Sequence, residues 1–198
     1  VSSVTLTRIL AEVFVFGSWS DSLECNEKRQ ERIKQTAEVF TPPFLARKML
    51  SKLPKEVWQK GKTFLDPACG TGNLLIPVLW RKLERNHKPL EALQSIYGVD
   101  IMKDNIQECR LRLLKLVSIY ELLTEEHIKA VWTNIAWINP EKYKGGSLDY
   151  DFSFKPRFKQ SDIDRWMEWV RTGRINEAVL PVEETSVPSQ FNDIFGEN

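Results

Sequence analysis

The segment Asp66-Pro67-Ala68-Cys69-Gly70-Thr71-Gly72-Asn73 sets an acid and two close glycines directly before a helical stripe of Leu74, Leu75, Val78, Leu79 and Leu83. Glycines let a backbone approach a ligand where a side chain would collide, and the N-terminus of the following helix favours a negative group such as a carboxylate. No Gly-Lys-Ser/Thr follows, so this is not a Walker loop, and nucleoside triphosphate hydrolysis drops out. A second acid, Asp100, ends the run Ile96-Tyr97-Gly98-Val99-Asp100, 28 residues after Gly72. In a Rossmann-like sheet, an acid at that strand end accepts hydrogen bonds from the ribose hydroxyls of an adenosine ligand.

Both groups need strands to hold them. The short apolar run Thr63 to Asp66 leads into the glycine turn, and Ile96 to Asp100 is followed by Ile106, Cys109, Leu113, Leu116, Val117 and Tyr120 on one helical face. Strand, loop and helix recur in that order, which predicts an α/β fold with a parallel sheet. Thr124 to Val131 reads as a further helix, Asn134 to Ile138 as a third strand and Tyr150 to Phe154 as a fourth. Upstream, Thr41 is a plausible N-cap with Pro42 in the first turn, before Phe44, Leu45, Lys48, Met49 and Leu53 at helical spacing and an end near Pro54. Ser161 with Asp164 has the pattern of a capping box, opening a helix with Ile163, Trp166, Met167 and Val170 that stops at Gly173. Glu24 to Glu38 carries four acids and four bases, the pattern of a solvated helix, while Ile9 to Phe16 fits either a strand or a helix.

Composition narrows the class. The chain has 198 residues, 42% hydrophobic and 28% charged, with a net charge of +1. These values predict one folded domain with extra segments, and no global field of the kind that coats a polyanion. No apolar run approaches the roughly 20 residues needed to span a bilayer. The start lacks the pattern of a secretory signal, and Cys25, Cys69 and Cys109 fit neither a disulfide framework nor a zinc site, so a reducing, cytoplasmic setting is expected. His87 and His127 stand alone in the sequence, and no metal is expected. Cys69, with no His near it, reads better as a small loop filler than as a nucleophile.

Phe40-Thr41-Pro42-Pro43, the Asp66–Asn73 loop and the Tyr97–Asp100 strand end, in this order, resemble the S-adenosylmethionine-dependent N6-adenine DNA methyltransferases over about Val39 to Ile138. The resemblance implies a Rossmann-like methyltransferase sheet and S-adenosylmethionine as cofactor. By it, Phe40, Thr41 and Pro42 border the methionine end, and Asp66, Ala68, Gly70 and Gly72 cradle the carboxylate and amine. Asp100 then holds the ribose, and Ile101 lies against adenine.

The catalytic motif of that family, Asn/Asp-Pro-Pro-Tyr/Phe, is absent from the sequence. Its amide and carbonyl accept the hydrogens of the target amine while its aromatic ring stacks on a flipped-out base. Asn139-Pro140 is followed by Glu141 and Lys142; Asn139 reads either as a contact to the adenine of the cofactor or as a catalytic remnant. Where the tetrad is expected stands Lys155-Pro156-Arg157-Phe158, and Lys has no acceptor to offer an amine. Forty residues follow Phe158, against about three further strands and helices in a complete sheet, so a sheet truncated in its C-terminal half is expected.

The expected organisation is an N-terminal extension over 1–38, a methyltransferase-like domain over 39–174 and an acidic tail over 175–198. Six bases between Lys155 and Arg174, interleaved with Phe158, Trp166 and Trp169, suit DNA contact or an ordinary amphipathic helix. Gln190 to Phe195 places three large apolar residues in the acidic tail, as a docking peptide for a protein partner or as a segment that folds back on the core. Two functions stand: an adenine-specific DNA methyltransferase with a degenerate or incomplete catalytic motif, or an inactive cofactor-binding or structural derivative of that fold.

Overall fold

The computed structural model describes residues 3–16, 41–138 and 158–172. Along the chain run α1 (Ser3–Phe16), α2 (Pro43–Ser51), a 3-10 turn (Lys55–Trp58), β1 (Phe64–Asp66), α3 (Leu75–Leu83), α4 (Pro89–Gln94), β2 (Ile96–Asp100), α5 (Lys103–Ser118), α6 (Glu125–Asn134), β3 (Ile135–Trp137) and α7 (Gln160–Thr172). The expected fourth strand at Tyr150 to Phe154, the charged helix at Glu24 to Glu38 and the tail lie outside the described residues.

The three strands form one parallel sheet in the order β1-β2-β3. Phe64 pairs with Ile96 and Asp66 with Gly98, while Gly98 pairs with Ile135 and Asp100 with Trp137. Parallel pairing puts every strand's C-terminal end on one edge, so Asp66 and Asp100 share it. Alternation along a strand puts both carboxylates on the same face of the sheet as Gly98 and Ile96. That face meets the main core, built from Leu75, Ile76 and Leu79 of α3, Ile106, Leu113, Leu114 and Val117 of α5, and Ile128 and Val131 of α6. Val99, Ala136 and Ile138 form a small second cluster on the opposite face.

Gly98 is required where α3 and its loop press on the central strand. A Cβ there would stand 2.7 Å from Leu75 Cδ1 and 3.0 Å from Cys69 Sγ. α5 is buried on several sides and contacts β2, β3 and five other helices, so even Arg110 is fully buried. Its Nε donates to the Ile135 carbonyl at 2.8 Å and its Nη2 to Trp132 O at 3.2 Å, holding the place where α6 passes directly into β3. A cation against the last carbonyls of α6 also complements the negative end of the helix dipole.

The structure decides some local expectations and corrects others. Ile9 to Phe16 is helical, and Ala11 and Val15 of α1 are buried in the main core. α2 begins one residue later than the Thr41 N-cap predicts: Pro42 is the N-cap and Pro43 the first helical residue. Thr41 keeps its own hydroxyl out of the cap, because the residue that flanks the first turn is Pro42. Phe44, Leu45, Met49 and Leu53 are exposed, and it is Ala46 and Leu50 that turn inward. α7 begins at Gln160, so Ser161 lies inside the helix rather than capping it, and Asp164 accepts a hydrogen bond from Gln160 Nε2 at 3.0 Å. Of the aromatics interleaved with bases, Trp166 and Trp169 are buried and Phe158 stacks on Trp132 at 5.2 Å. This segment is an amphipathic helix with its rings in the core, and Lys159, Arg165 and Arg171 are on its exposed side.

Candidate functional site

The edge formed by the C-terminal ends of β1 and β2 gathers most of the residues singled out by the sequence. Leaving β1, Asp66 Oδ1 accepts the Ala68 N–H at 3.2 Å, which bends the chain into the loop. Cys69 N–H donates to Val99 O of β2 at 2.9 Å, so the loop stays against the central strand. Gly70 and Gly72 have φ of 51° and 86°, a left-handed backbone that non-glycine residues rarely adopt. The Gly72 N–H donates to Cys69 O at 2.8 Å and its carbonyl accepts from Ile76 at 2.8 Å, so the loop becomes the first turn of α3 without a break.

Asp100 ties this loop to the next helix. Its Oδ2 accepts the Gly70 N–H at 2.8 Å, and its Oδ1 accepts from the Met102 N–H at 2.8 Å and from Asn105 Nδ2 at 3.4 Å. Asp66 is different. Burial pushes its carboxyl above the usual range, the Ala68 N–H opposes that, and the Asp100 charge pushes it further up. Among the described residues no lysine, arginine or histidine is within ion-pair distance of Asp66.

The sequence did not reveal several neighbours of this edge. Arg112 of α5 donates from Nη1 to Thr71 O at 2.7 Å and to Asn73 Oδ1 at 2.7 Å, and Asn73 Nδ2 donates to Thr41 O at 2.9 Å. Trp137, paired with Asp100 across the strands, donates from Nε1 to Ile101 O at 2.9 Å, and Lys103 Nζ stands 4.1 Å from its ring centroid. Ile101 itself is 46% exposed. Strand register decides that Trp137 meets Ile101, and register cannot be read from one short apolar run.

Cys69 is buried, and its thiol is pushed well up, first by its hydrogen bond with Cys109, then by burial and the nearby acids. A thiol so held is protonated and suits a loop filler. Both histidines are engaged by protein groups. His87 Nε2 is 2.9 Å from Trp58 O. His127 Nδ1 accepts the Thr124 N–H at 3.0 Å, which puts the ring proton on Nε2, 2.7 Å from Glu121 Oε1. Phe40, Asn139, Pro140, Lys155 and Pro156 lie outside the described residues.

A half-buried carboxylate with no cation beside it, a loop of left-handed glycines and a second carboxylate at the neighbouring strand end fit a ligand that has an ammonium, a carboxylate and a ribose. Asp100 already accepts three hydrogen bonds, and a carboxylate has about four acceptor positions. About one acceptor position of Asp100 is left for a ligand hydroxyl.

No solved structure matches the chain significantly. The chain is 36% identical over 103 residues to the Type II methyltransferase M.VspI of Vibrio sp. (strain 343), an alignment that covers 52% of this chain and 22% of that protein. The chain thus spans about a fifth of the length of that relative. The sequence profile of the N-6 DNA Methylase family matches residues 25–162, which hold all three described strands and both strand-end acids, and the chain belongs to that family.

Proposed function

We propose that this chain binds S-adenosylmethionine at the C-terminal edge of β1 and β2 and forms the cofactor-binding part of an adenine-N6 DNA methyltransferase. The observation that carries the reading is the pair of carboxylates, Asp66 and Asp100, on either side of a positive-φ glycine loop, with Asp66 lacking a cation among the described residues. Asp66 receives the ammonium of the ligand, and the Gly70–Asn73 turn at the start of α3 faces its carboxylate. Asp100 accepts from the ribose, Ile101 lies against adenine, and Thr41 and Pro42, with Phe40 before them, border the methionine end. When bound, S-adenosylmethionine supplies a methyl group on a sulfonium sulfur. Asn139 contacts the adenine of the cofactor.

Transfer to a base amine requires acceptors for its hydrogens, and the 198 residues contain no Asn/Asp-Pro-Pro-Tyr/Phe tetrad. This favours a second reading of the chain by itself, as an inactive cofactor-binding unit that acts through a partner. Titration calorimetry with S-adenosylhomocysteine tests the binding, and tritiated S-adenosylmethionine with adenine-rich DNA tests the transfer. Asp100→Ala is expected to weaken binding by roughly ten- to hundredfold, the value of lost charge-assisted hydrogen bonds of about 1.5–3 kcal/mol. Equal binding by wild type and Asp100→Ala contradicts the assignment of Asp100. The wild-type chain alone is expected to leave DNA unlabelled, and enzyme-dependent label at adenine N6 contradicts the inactive reading.

A further inference from the structure

Three segments meet at the candidate site from distant parts of the sequence: Thr41 before α2, the loop before α3 and, beneath them, Arg112 of α5. Arg112 is 5% exposed, and burial lowers its pKa against the opposing pull of Cys109 and Glu108. Its Nη1 donates to the carbonyl of Thr71 at 2.7 Å, to Thr71 Oγ1 at 3.2 Å and to Asn73 Oδ1 at 2.7 Å. A guanidinium has donors only, so the oxygen of the Asn73 amide must face it. Nδ2 is thereby turned the other way, where it donates to Thr41 O at 2.9 Å. The amide cannot reverse without losing both bonds. The next carbonyl, that of Pro42, accepts from Leu45 and Ala46 at 3.0 Å each, so fixing Thr41 also fixes where α2 begins.

We propose that Arg112 is a positioning residue for the methionine end of the cofactor, acting through Asn73 to set the spacing between the glycine loop and the Thr41–Pro42 segment. The proposal rests on the binding reading above. A ligand clasped between two loops loses affinity when either must be ordered at the moment of binding, so a network that orders both beforehand strengthens binding without touching the ligand. The effect is confined to the end of the ligand that these loops border. The ribose and adenine are held from Asp100 and Ile101, which none of these bonds of Arg112 or Asn73 reaches; Asp100 meets the loop at Gly70, ahead of Thr71.

The test compares two probes, S-adenosylhomocysteine and adenosine, by calorimetry and competition on the wild type, Arg112→Lys, Asn73→Ala and the double variant, with the melting temperature of each. Lysine keeps the charge, but its ammonium ends one bond short of the position from which Nη1 meets both Thr71 and Asn73. Asn73→Ala leaves Arg112 in place and cuts only the link to Thr41. Each single variant is expected to lose about tenfold in affinity for S-adenosylhomocysteine, the size of one or two net hydrogen bonds, with adenosine affinity changed less than about twofold. Because both residues act through one chain of bonds, the double variant is expected to lose little more than either single one. Parallel losses for both probes with a lowered melting temperature mean a purely structural role and overturn the proposal, as does unchanged S-adenosylhomocysteine binding in Asn73→Ala. If Arg112→Lys fails to fold, Asn73→Ala alone decides. A wild type that binds neither probe overturns the cofactor reading itself, a result separate from any pattern among the variants.

Discussion

Asp66 and Asp100 end neighbouring strands, yet their surroundings differ: among the described residues Asp100 accepts three hydrogen bonds, while Asp66 accepts one from Ala68 and is raised by burial. An acid with a raised folded-state pKa binds its proton more readily folded than unfolded, so its ionised form at neutral pH costs stability. Asp66→Asn, which keeps an oxygen for Ala68, is expected to raise the melting temperature of the unliganded chain and to weaken binding of S-adenosylhomocysteine. In the wild type that affinity is expected to fall as the pH drops through the raised pKa of Asp66, above the ordinary 3.8, and the Asn variant is expected to lose this dependence. Calorimetry across that range checks both. Gly72 gives a second test. At φ +86°, and with an added Cβ 2.7 Å from Cys109 Sγ, Gly72→Ala is expected to cost about 1–3 kcal/mol by strain and overpacking, measured by denaturant unfolding. The positions of these two motifs were legible in the sequence because each short apolar run stops at an acid and is followed by a helical stripe. Arg112 and Trp137 were not, since one lies within a helical pattern and the other acquires its partner only through strand register.

Among the elements, α3 and α5 follow their apolar stripes, and Leu75, Val78, Leu79 and Leu83 are buried where the spacing put them. α2 does not. Its larger apolar residues, Phe44, Leu45 and Met49, are exposed, and the small Ala46 faces inward, because close contact with α1 and α3 selects the face that lets the helices approach. Periodicity identifies a helix but does not choose among its faces when apolar residues occupy several. In α7 the spacing places Ile163 and Trp166 on the buried face, but it does not show that the partner of Trp166 is Trp132 of α6, whose ring it meets edge-on at 5.4 Å. Trp166→Ala is expected to destabilise the chain by about 3–5 kcal/mol, as for a large buried aromatic, while Arg165→Ala, on the exposed side, stays within about 0.5 kcal/mol. Urea unfolding of the two variants distinguishes a core helix from a surface kept for base stacking.

At the scale of the molecule the sheet has two unlike ends. Opposite the acids, where β1 and β2 begin, a cavity of about 320 Å³ is lined by Thr63, Lys82, His87, Glu91 and Ser95 among others. Lys82 Nζ donates to Lys62 O and to Ser95 Oγ, each at 2.6 Å, and burial lowers its pKa from 10.5 to about 8. Below about pH 8 both folded and unfolded chains hold the proton and the cost of burying the charge is present in full; between about 8 and 10.5 the folded chain releases it first. Stability is therefore expected to gain a rising contribution from Lys82 with pH through that window, absent in Lys82→Met, as read by unfolding free energies at pH 7 and 10. This end carries buried structural polarity, and the acid-lined end carries the groups suited to a ligand.

Hydrogen exchange with and without S-adenosylhomocysteine, resolved along the chain, tests that division most directly. Binding at the acid-lined edge predicts slowed exchange in Ala68 to Gly72 and at Met102, with no change around Lys60 to Thr63 or at Ser95. Protection confined to those latter residues, or no protection anywhere at a ligand concentration that saturates the chain by calorimetry, contradicts the placement of the cofactor between Asp66 and Asp100.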